Sequence, residues 1–286
     1  RITGAAGVQM ADPDGTAGLG VENAGVITGQ AGAGLVAGGR GLFALDNQTS
    51  GAIFAAGPAL AVQAAEAVVG NDGTIQSSGT DGALIDAGNV VLANGANGAI
   101  IGDAIGLGIT GGAVEVTNAG TIAGGANSAQ PVAGGIAIQA DTATVRNEAG
   151  GMVLGREAGV TVEAADTAEV VNGGVLNGVM IDGEAQALLR NLAGGSITAE
   201  TDNLVTGRGI VRVENAGTIE AGRPGRSSEI GLIAGTREGA DRPAETILIN
   251  ETGGRITGFN GAAVLSGDVI RIENRGTIDG ILAPAV

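Results

Sequence analysis

The feature that most restricts how this chain can fold is a short phrase: Asn, then Gly two or four residues later, then an aliphatic residue. Eleven copies run from one end of the sequence to the other, beginning at Asn23, Asn47, Asn71, Asn94, Asn118, Asn147, Asn172, Asn191, Asn215, Asn250 and Asn274. Their spacings are 24, 24, 23, 24, 29, 25, 19, 24, 35 and 24 residues. A repeat of this length predicts a solenoid in which each period forms one coil.

The residues between the asparagines indicate strands rather than helices. Glycine accounts for 56 of the 286 residues, and a helix tolerates that much glycine poorly. Short runs such as 211–213 and 269–272 alternate in polarity and are bounded by Gly, Asn or Asp, a pattern typical of strands. We therefore expect an all-β protein, a parallel β-helix of right-handed sense with about twelve coils, about 24 residues and three short strands per coil.

The recurring order of residues within the phrase predicts a role for each of them. Asn tolerates the left-handed backbone conformation of a tight corner better than any residue except Gly, so we expect the asparagines at one corner of the coil. Their stacked amides would form a ladder of hydrogen bonds from coil to coil. The glycine lets the chain turn again without a Cβ clash, and the aliphatic residue enters the core.

Two periods are longer than the rest, which predicts one solenoid over residues 1–286 with loop insertions at about 125–135 and 222–243. The second insertion is rich in arginine and lies in an otherwise acidic chain, so it is a candidate loop for binding an acidic partner. The alternative is a solvated loop with no selected partner. The residues proposed for this loop are Arg223, Arg226, Arg237, Asp241 and Arg242.

Composition opposes several classes of partner. The net charge is −16, from 30 acidic residues and 14 arginines with no lysine, and such a chain repels nucleic acid and anionic lipid. No run of 18 or more apolar residues occurs, so we expect no membrane insertion by this segment. The absence of cysteine fits a secreted bacterial rod held together by hydrogen bonds and stacking.

The side chains available for catalysis are few. His, Cys, Lys, Tyr and Trp are all absent, which removes most nucleophiles, general bases and zinc ligands. With three Phe and neither Trp nor Tyr, little is left for an aromatic sugar-binding platform. We expect no catalysis and no cofactor or metal.

The acidic residues are interpreted as solvated side chains on outward faces. Glu22, Glu214 and Glu273 share the position before the asparagine but are isolated members of it. Residues 12–15, Asp-Pro-Asp-Gly, lack the later ligands of a calcium loop and read as a turn. We expect the following acids at corners of different coils, with no two adjacent coils matching: Asp86, Asp103, Asp141, Asp166, Asp182 and Glu184.

The phrase at 213–219, Val-Glu-Asn-Ala-Gly-Thr-Ile, and its relatives at 116–122 and 272–278 resemble repeats in the passenger domains of bacterial autotransporters and related filamentous adhesins. The resemblance covers nearly the whole chain. It implies a right-handed β-helix on or beyond the outer membrane, that is, an extracellular location at the bacterial surface. The sequence departs from such proteins in its core, where Phe43, Phe54 and Phe259 are the only aromatics, so we expect a slim coil.

The repeat and the resemblance together lead us to expect an extracellular structural or adhesive β-solenoid. It would be a segment of a longer passenger chain or a subunit that stacks head to tail on copies of itself through its end coils, since no capping segment is visible in the sequence. A receptor on a host or neighbouring cell is a further expected partner. The alternative is a β-helix polysaccharide lyase or hydrolase that uses clustered Asp, Glu and Arg side chains.

Overall fold

The computed structural model of the chain describes residues 1–12, 18–125, 134–222, 230–235, 244–259 and 261–280. Every regular element in these ranges is a β-strand, and all the strand pairs are parallel. No helix long or apolar enough to span a bilayer occurs in the described part of the chain. The all-β parallel solenoid predicted from the repeat is therefore confirmed.

Within the described ranges, 29 strands follow one another along the chain. The first ten are β1 (Ile2–Gly4), β2 (Val8–Asp12), β3 (Leu19–Asn23), β4 (Val26–Gly29), β5 (Leu35–Gly39), β6 (Leu42–Asn47), β7 (Ala52–Ala55), β8 (Leu60–Asn71), β9 (Thr74–Ser77) and β10 (Ala83–Asn94). The next ten are β11 (Ala99–Ile101), β12 (Leu107–Asn118), β13 (Thr121–Ala123), β14 (Gly134–Asn147), β15 (Met152–Leu154), β16 (Ala158–Asn172), β17 (Val175–Leu176), β18 (Val179–Gly183), β19 (Gln186–Asn191) and β20 (Ser196–Ala199). The last nine are β21 (Leu204–Gly207), β22 (Ile210–Asn215), β23 (Thr218–Ala221), β24 (Ile230–Gly235), β25 (Glu245–Asn250), β26 (Arg255–Gly258), β27 (Gly261–Leu265), β28 (Val269–Asn274) and β29 (Thr277–Gly280).

The strands that follow the asparagine corner form the first face of the solenoid. Twelve of them stack in one sheet, in the order β1, β4, β7, β9, β11, β13, β15, β17, β20, β23, β26 and β29. One aliphatic residue of each strand is in register with the next, which makes one aliphatic column. Its members are Ile2, Ile27, Ile53, Ile75, Ile100, Ile122, Val153, Leu176, Ile197, Ile219, Ile256 and Ile278. The ten members from Ile27 to Ile256 are buried in the core, Ile278 is partly buried and Ile2 is exposed.

The other strands form a second face and, next to it along the chain, a third face that ends at the asparagine. Coils near either end have a separate strand on each face, such as β5 and β6, or β21 and β22. In five central coils one strand of 12 to 15 residues covers both faces: β8, β10, β12, β14 and β16.

Small residues explain these long strands. In the pairing of β10 with β12, Ala87 pairs with Gly111 and Asn89 pairs with Ala113, so one residue of each strand is left unpaired at the bend. Gly and Ala let a strand bend there while the hydrogen bonds resume on the other side. The three-strand prediction thus holds at the two ends, and in the middle the second corner is a bend within a strand.

The predicted asparagine ladder is complete across the described chain. Each Nδ2 donates to the Oδ1 of the asparagine in the next coil, in ten links of 2.6 to 2.9 Å from Asn23 to Asn274. From Asn23 to Asn250 the asparagines are at most 6% exposed. Each amide therefore lies inside the fold with its polar atoms paired, as a buried amide must.

The expected left-handed backbone at these asparagines is wrong. Each ladder asparagine is the last residue of a strand, and no described non-glycine residue has a positive φ. The turn comes after the asparagine. In the copies at Asn147, Asn191 and Asn250 it contains a glycine of positive φ three residues later, namely Gly150, Gly194 and Gly253 with φ of 89°, 85° and 88°. Asparagine is required for its amide, which ties adjacent coils together, and the conformational freedom is supplied by glycine.

The glycine that precedes the aliphatic residue is required by the close approach of neighbouring coils. A Cβ atom on Gly120 would collide with the backbone carbonyl oxygens of Gly98 and Gly95 in the preceding coil. The same collision recurs at Gly73, Gly174, Gly217 and Gly276. The glycine column thus allows the corners to stack at the strand spacing of about 4.8 Å.

Candidate functional site

A broad groove lies on the second face. It has a volume of about 620 Å³ and crosses β5, β8, β10, β12, β14 and β16. A solenoid has flat faces unless side-chain size varies along a column, so the residues that point outward here determine its shape.

Two outward columns build this groove, because alternate residues of a strand point to the same side. The first column is mostly apolar. Gly108 and Ala137 in this column have small side chains or none, so the groove is deeper there than at the neighbouring Leu84. The second column is polar. In register, its members are Gln63, Asp86, Thr110, Gln139 and Glu163.

The polar column is available for a ligand. Within the described residues, the side chains of Gln63, Asp86, Gln139 and Glu163 make no hydrogen bond or ion pair, and all four residues are exposed. Amides and carboxylates spaced by one coil, about 4.8 Å, could contact an extended chain that lies along the solenoid axis. The groove can therefore supply repeated hydrogen-bond acceptors next to an apolar strip.

At one end the groove meets a second hollow of about 330 Å³ in which acidic residues gather. Glu163 and Asp182 are register partners on adjacent coils, and Glu184 also lines the hollow. Arg208 lines it too, and its Nη1 lies 2.9 Å from Oε1 of Glu184. The salt bridge is largely exposed, so it contributes little to stability and leaves the other two carboxylates unpaired.

The expectation that the acids lie at corners of different coils is therefore wrong for part of the set. Asp86 and Asp182 lie within strands and point outward from one column of the second face, and Glu163 stands beside Asp182. The alternation of residues 84–86 and 161–163 indicated that Asp86 and Glu163 point outward from strands. The alignment was missed because unequal period lengths between asparagines hide which residues share a column.

The three glutamates before the ladder asparagine all have polar partners on the outer surface. Glu22 accepts a hydrogen bond of 2.8 Å from Gln48 Nε2. Glu214 lies between Arg190 and Arg212, at 3.2 and 2.6 Å, and Glu273 forms an ion pair with Arg275. Glu214 and its two arginines thus form partly exposed ion pairs on the third face, and all three glutamates lie at the outer surface, which agrees with the solvated-surface interpretation.

Several predicted features lie outside the described residues. They are the five residues of the arginine-rich loop, Arg223, Arg226, Arg237, Asp241 and Arg242, together with most of the insertion at 125–135 and most of the 12–15 turn. Their roles stay predictions. In the ranges that the structure does describe, no group of three or more acidic side chains is arranged to hold a metal ion.

Polar groups at the corner between the first and second faces were not predicted from the sequence. Asn203 is fully buried, where its Nδ2 donates to the carbonyl oxygen of Gly231 at 2.9 Å and its Oδ1 accepts from the backbone of Val179 at 3.2 Å. Ser77 is also buried and donates to Gly57 O at 2.8 Å. These residues satisfy backbone groups one coil at a time, and since they do not recur at a fixed spacing, no repeat reveals them.

Comparison with models of known protein families gave no match, and comparisons with curated proteins and with solved structures gave none either. The likeness to autotransporter passengers and filamentous adhesins thus rests on the repeated phrase alone. The fold itself is shown by the parallel register and the asparagine ladder.

Proposed function

We propose that this chain is an extracellular structural and adhesive β-solenoid of a bacterial surface, which acts by its shape and its outer faces and without catalysis. The observation that carries the proposal is the ladder of ten asparagine links beside an aliphatic column of twelve residues. The repeated phrase is thus devoted to stacking coils. A chain whose repeated residues all serve stacking is suited to build length and stiffness.

The proposed location is supported by composition and by the resemblance of the repeat. The chain lacks cysteine and lysine and has a net charge of −16. Such a surface stays soluble and is repelled by nucleic acid and by anionic lipid headgroups, so neither is a proposed partner. The proposed partners are a longer parent chain or further copies stacked head to tail, and a receptor on a host or neighbouring cell.

Labelling of intact cells tests the proposed location. Antibodies raised against the described surface should bind source cells that have not been permeabilised, and external protease should remove the signal while a cytoplasmic marker survives. Labelling that appears only after permeabilisation would contradict an extracellular role.

The second candidate function, glycan cleavage, is favoured by one observation. Glu163 and Asp182 are register partners in the groove, and the strand spacing of about 4.8 Å is close to the separation of about 5 Å between the two carboxyl groups of retaining glycosidases. The test is release of reducing ends from neutral polysaccharides by the unmodified chain. Activity that is abolished in both Glu163→Gln and Asp182→Asn would replace the non-catalytic proposal with this one.

A further inference from the structure

A small hollow on the first face differs in chemistry from the rest of the molecule. It has a volume of about 300 Å³, and none of the eight residues that line it carries a charge, although the chain as a whole has a net charge of −16. Its lining is Thr28, Gly29, Gln30, Phe54, Ala55, Ala56, Gln76 and Ser78. The volume is at the lower end of the range of about 300 to 1,000 Å³ for small-molecule pockets.

An exposed aromatic ring forms the centre of this hollow. Phe54 is 37% exposed, whereas Phe43 is 1% exposed and belongs to the core. Register places Thr28 and Gln76 on either side of Phe54 in the same outward column, each about 4.8 Å away along the axis. Although the chain has few aromatic residues, strand β7 directs this one ring outward, into the hollow.

Hydrogen-bonding groups surround the ring. Gln30 and Gln76 each carry an amide with two donor hydrogens and an acceptor oxygen, and neither side chain is hydrogen-bonded within the described residues. The hydroxyl of Thr28 is likewise unpaired there, and Ser78 Oγ donates to the carbonyl of Ala55 at 3.3 Å. The hollow therefore offers neutral donors and acceptors around an apolar surface.

We infer that this hollow binds a neutral sugar, with a pyranose ring stacked on Phe54 and its hydroxyls bonded to the amides of Gln30 and Gln76. A pyranose has an apolar C–H face and a rim of hydroxyl groups that each donate and accept, which matches both parts of the lining. A phosphorylated, sulfated or carboxylated sugar would meet no cation, and an amino sugar would meet no carboxylate.

A peptide fits this hollow less well. The backbone groups of β4, β7 and β9 are already paired with neighbouring strands, so an added strand would find no free edge at this hollow. The open hollow predicts weak binding at a single site, and repeated presentation on a surface would raise the effective affinity. The inference rests on the adhesive part of the proposed function. A rod that binds no sugar can still serve as a structural stalk, so the inference can fail while the structural part of the proposed function holds.

Saturation-transfer NMR on the whole chain tests the inference, with a panel of methyl pyranosides that are neutral, acidic or amine-bearing. We expect signal transfer to a neutral pyranoside, at least a tenfold weaker affinity in Phe54→Leu, and a smaller loss in Gln76→Ala. Met152→Ala is the matched control, since Met152 is an apolar residue of the same face, 38% exposed and outside the hollow.

Three results would overturn the inference. The first is that no neutral sugar receives signal in the unmodified chain, and the second is that a charged sugar is preferred. The third is that Phe54→Leu binds as well as the unmodified chain. Circular dichroism of each variant shows whether it is folded, so a loss of fold cannot be mistaken for a loss of binding.

Discussion

A single buried asparagine holds three segments of the chain together. The two hydrogens of Asn118 Nδ2 have three acceptors, Asn147 Oδ1 at 2.8 Å and the carbonyls of Gly120 and Met152 at 3.2 Å each, so one hydrogen is shared; Asn118 Oδ1 accepts from Asn94. No aliphatic residue can replace these contacts, and neither can a carboxylate, which has no donor hydrogen. This is why the asparagine recurs even where the residues around it change.

Asn118→Ala is expected to destabilise the chain by about 2–4 kcal/mol, because it leaves a cavity and strands the polar atoms of two neighbouring buried amides. Asn89→Ala, on the exposed face of β10, is the control and should change stability by less than about 0.5 kcal/mol. Urea denaturation of both variants measures the difference. Equal stability of the two variants would show that the ladder contributes nothing.

Gly120→Ala is expected to destabilise the chain by about 2–3 kcal/mol, because the added methyl group meets two backbone carbonyls that have no room to move. Gly38 lies in β5 with a paired strand on each side, but a Cβ there would have no atom within 4 Å. Gly38→Ala is therefore the control and should be close to neutral. Thermal unfolding followed by circular dichroism compares them, and an equal fall in Tm would argue against close stacking as the reason for this glycine.

At the scale of elements, the corner after each asparagine is a tight turn whose type depends on one residue. In the longer form of the phrase the turn closes by a backbone hydrogen bond, such as Gly151 N to Glu148 O at 2.9 Å. With Gly150 at φ of 89° its geometry is that of a type II turn, which requires glycine at this place. In the turn closed by Gly98 N to Gly95 O, Asn97 stands in the same place with a negative φ.

Gly150→Ala is expected to destabilise the chain by about 1–2 kcal/mol through backbone strain alone, since a Cβ there would meet nothing within 4 Å. Asn97→Ala is the matched control in a turn that already accepts a side chain, and its effect should stay within about 0.5 kcal/mol. Chemical denaturation separates the two. If Gly150→Ala left the free energy of unfolding unchanged, this turn would have to adopt the conformation of the turn at 95–98 at no cost in free energy.

The sequence predicted these elements unevenly, for physical reasons. Strands, stacking and the ladder were predictable because Asn, Gly and the aliphatic residue recur in every coil. The 19-residue period can be read from the sequence, but its cause cannot. Only Asn177 and Gly178 connect β17 to β18, and Gly178 with φ of 83° makes this short connection possible. The groove and the Phe54 hollow depend on which outward residues become neighbours, and that follows from register rather than from spacing between asparagines.

At the scale of the whole molecule, each coil contacts mainly the coils before and after it, so stability is a sum over neighbours. The inner columns and the ladder are nearly uniform from coil to coil, while the outer faces differ. The second face carries an acidic groove, the third face exposed ion pairs, and the first face an uncharged hollow around Phe54. Stiffness thus resides in the repeated residues, and any recognition in the variable outer ones.

The measurement that tests the structural role most directly is electron microscopy and diffraction of the protein isolated from its source, without truncation or refolding. We expect thin rods or fibres whose diffraction shows a spacing of about 4.8 Å parallel to the long axis, because the strands lie across that axis. Compact particles without this axial spacing would contradict a role that depends on stacked coils.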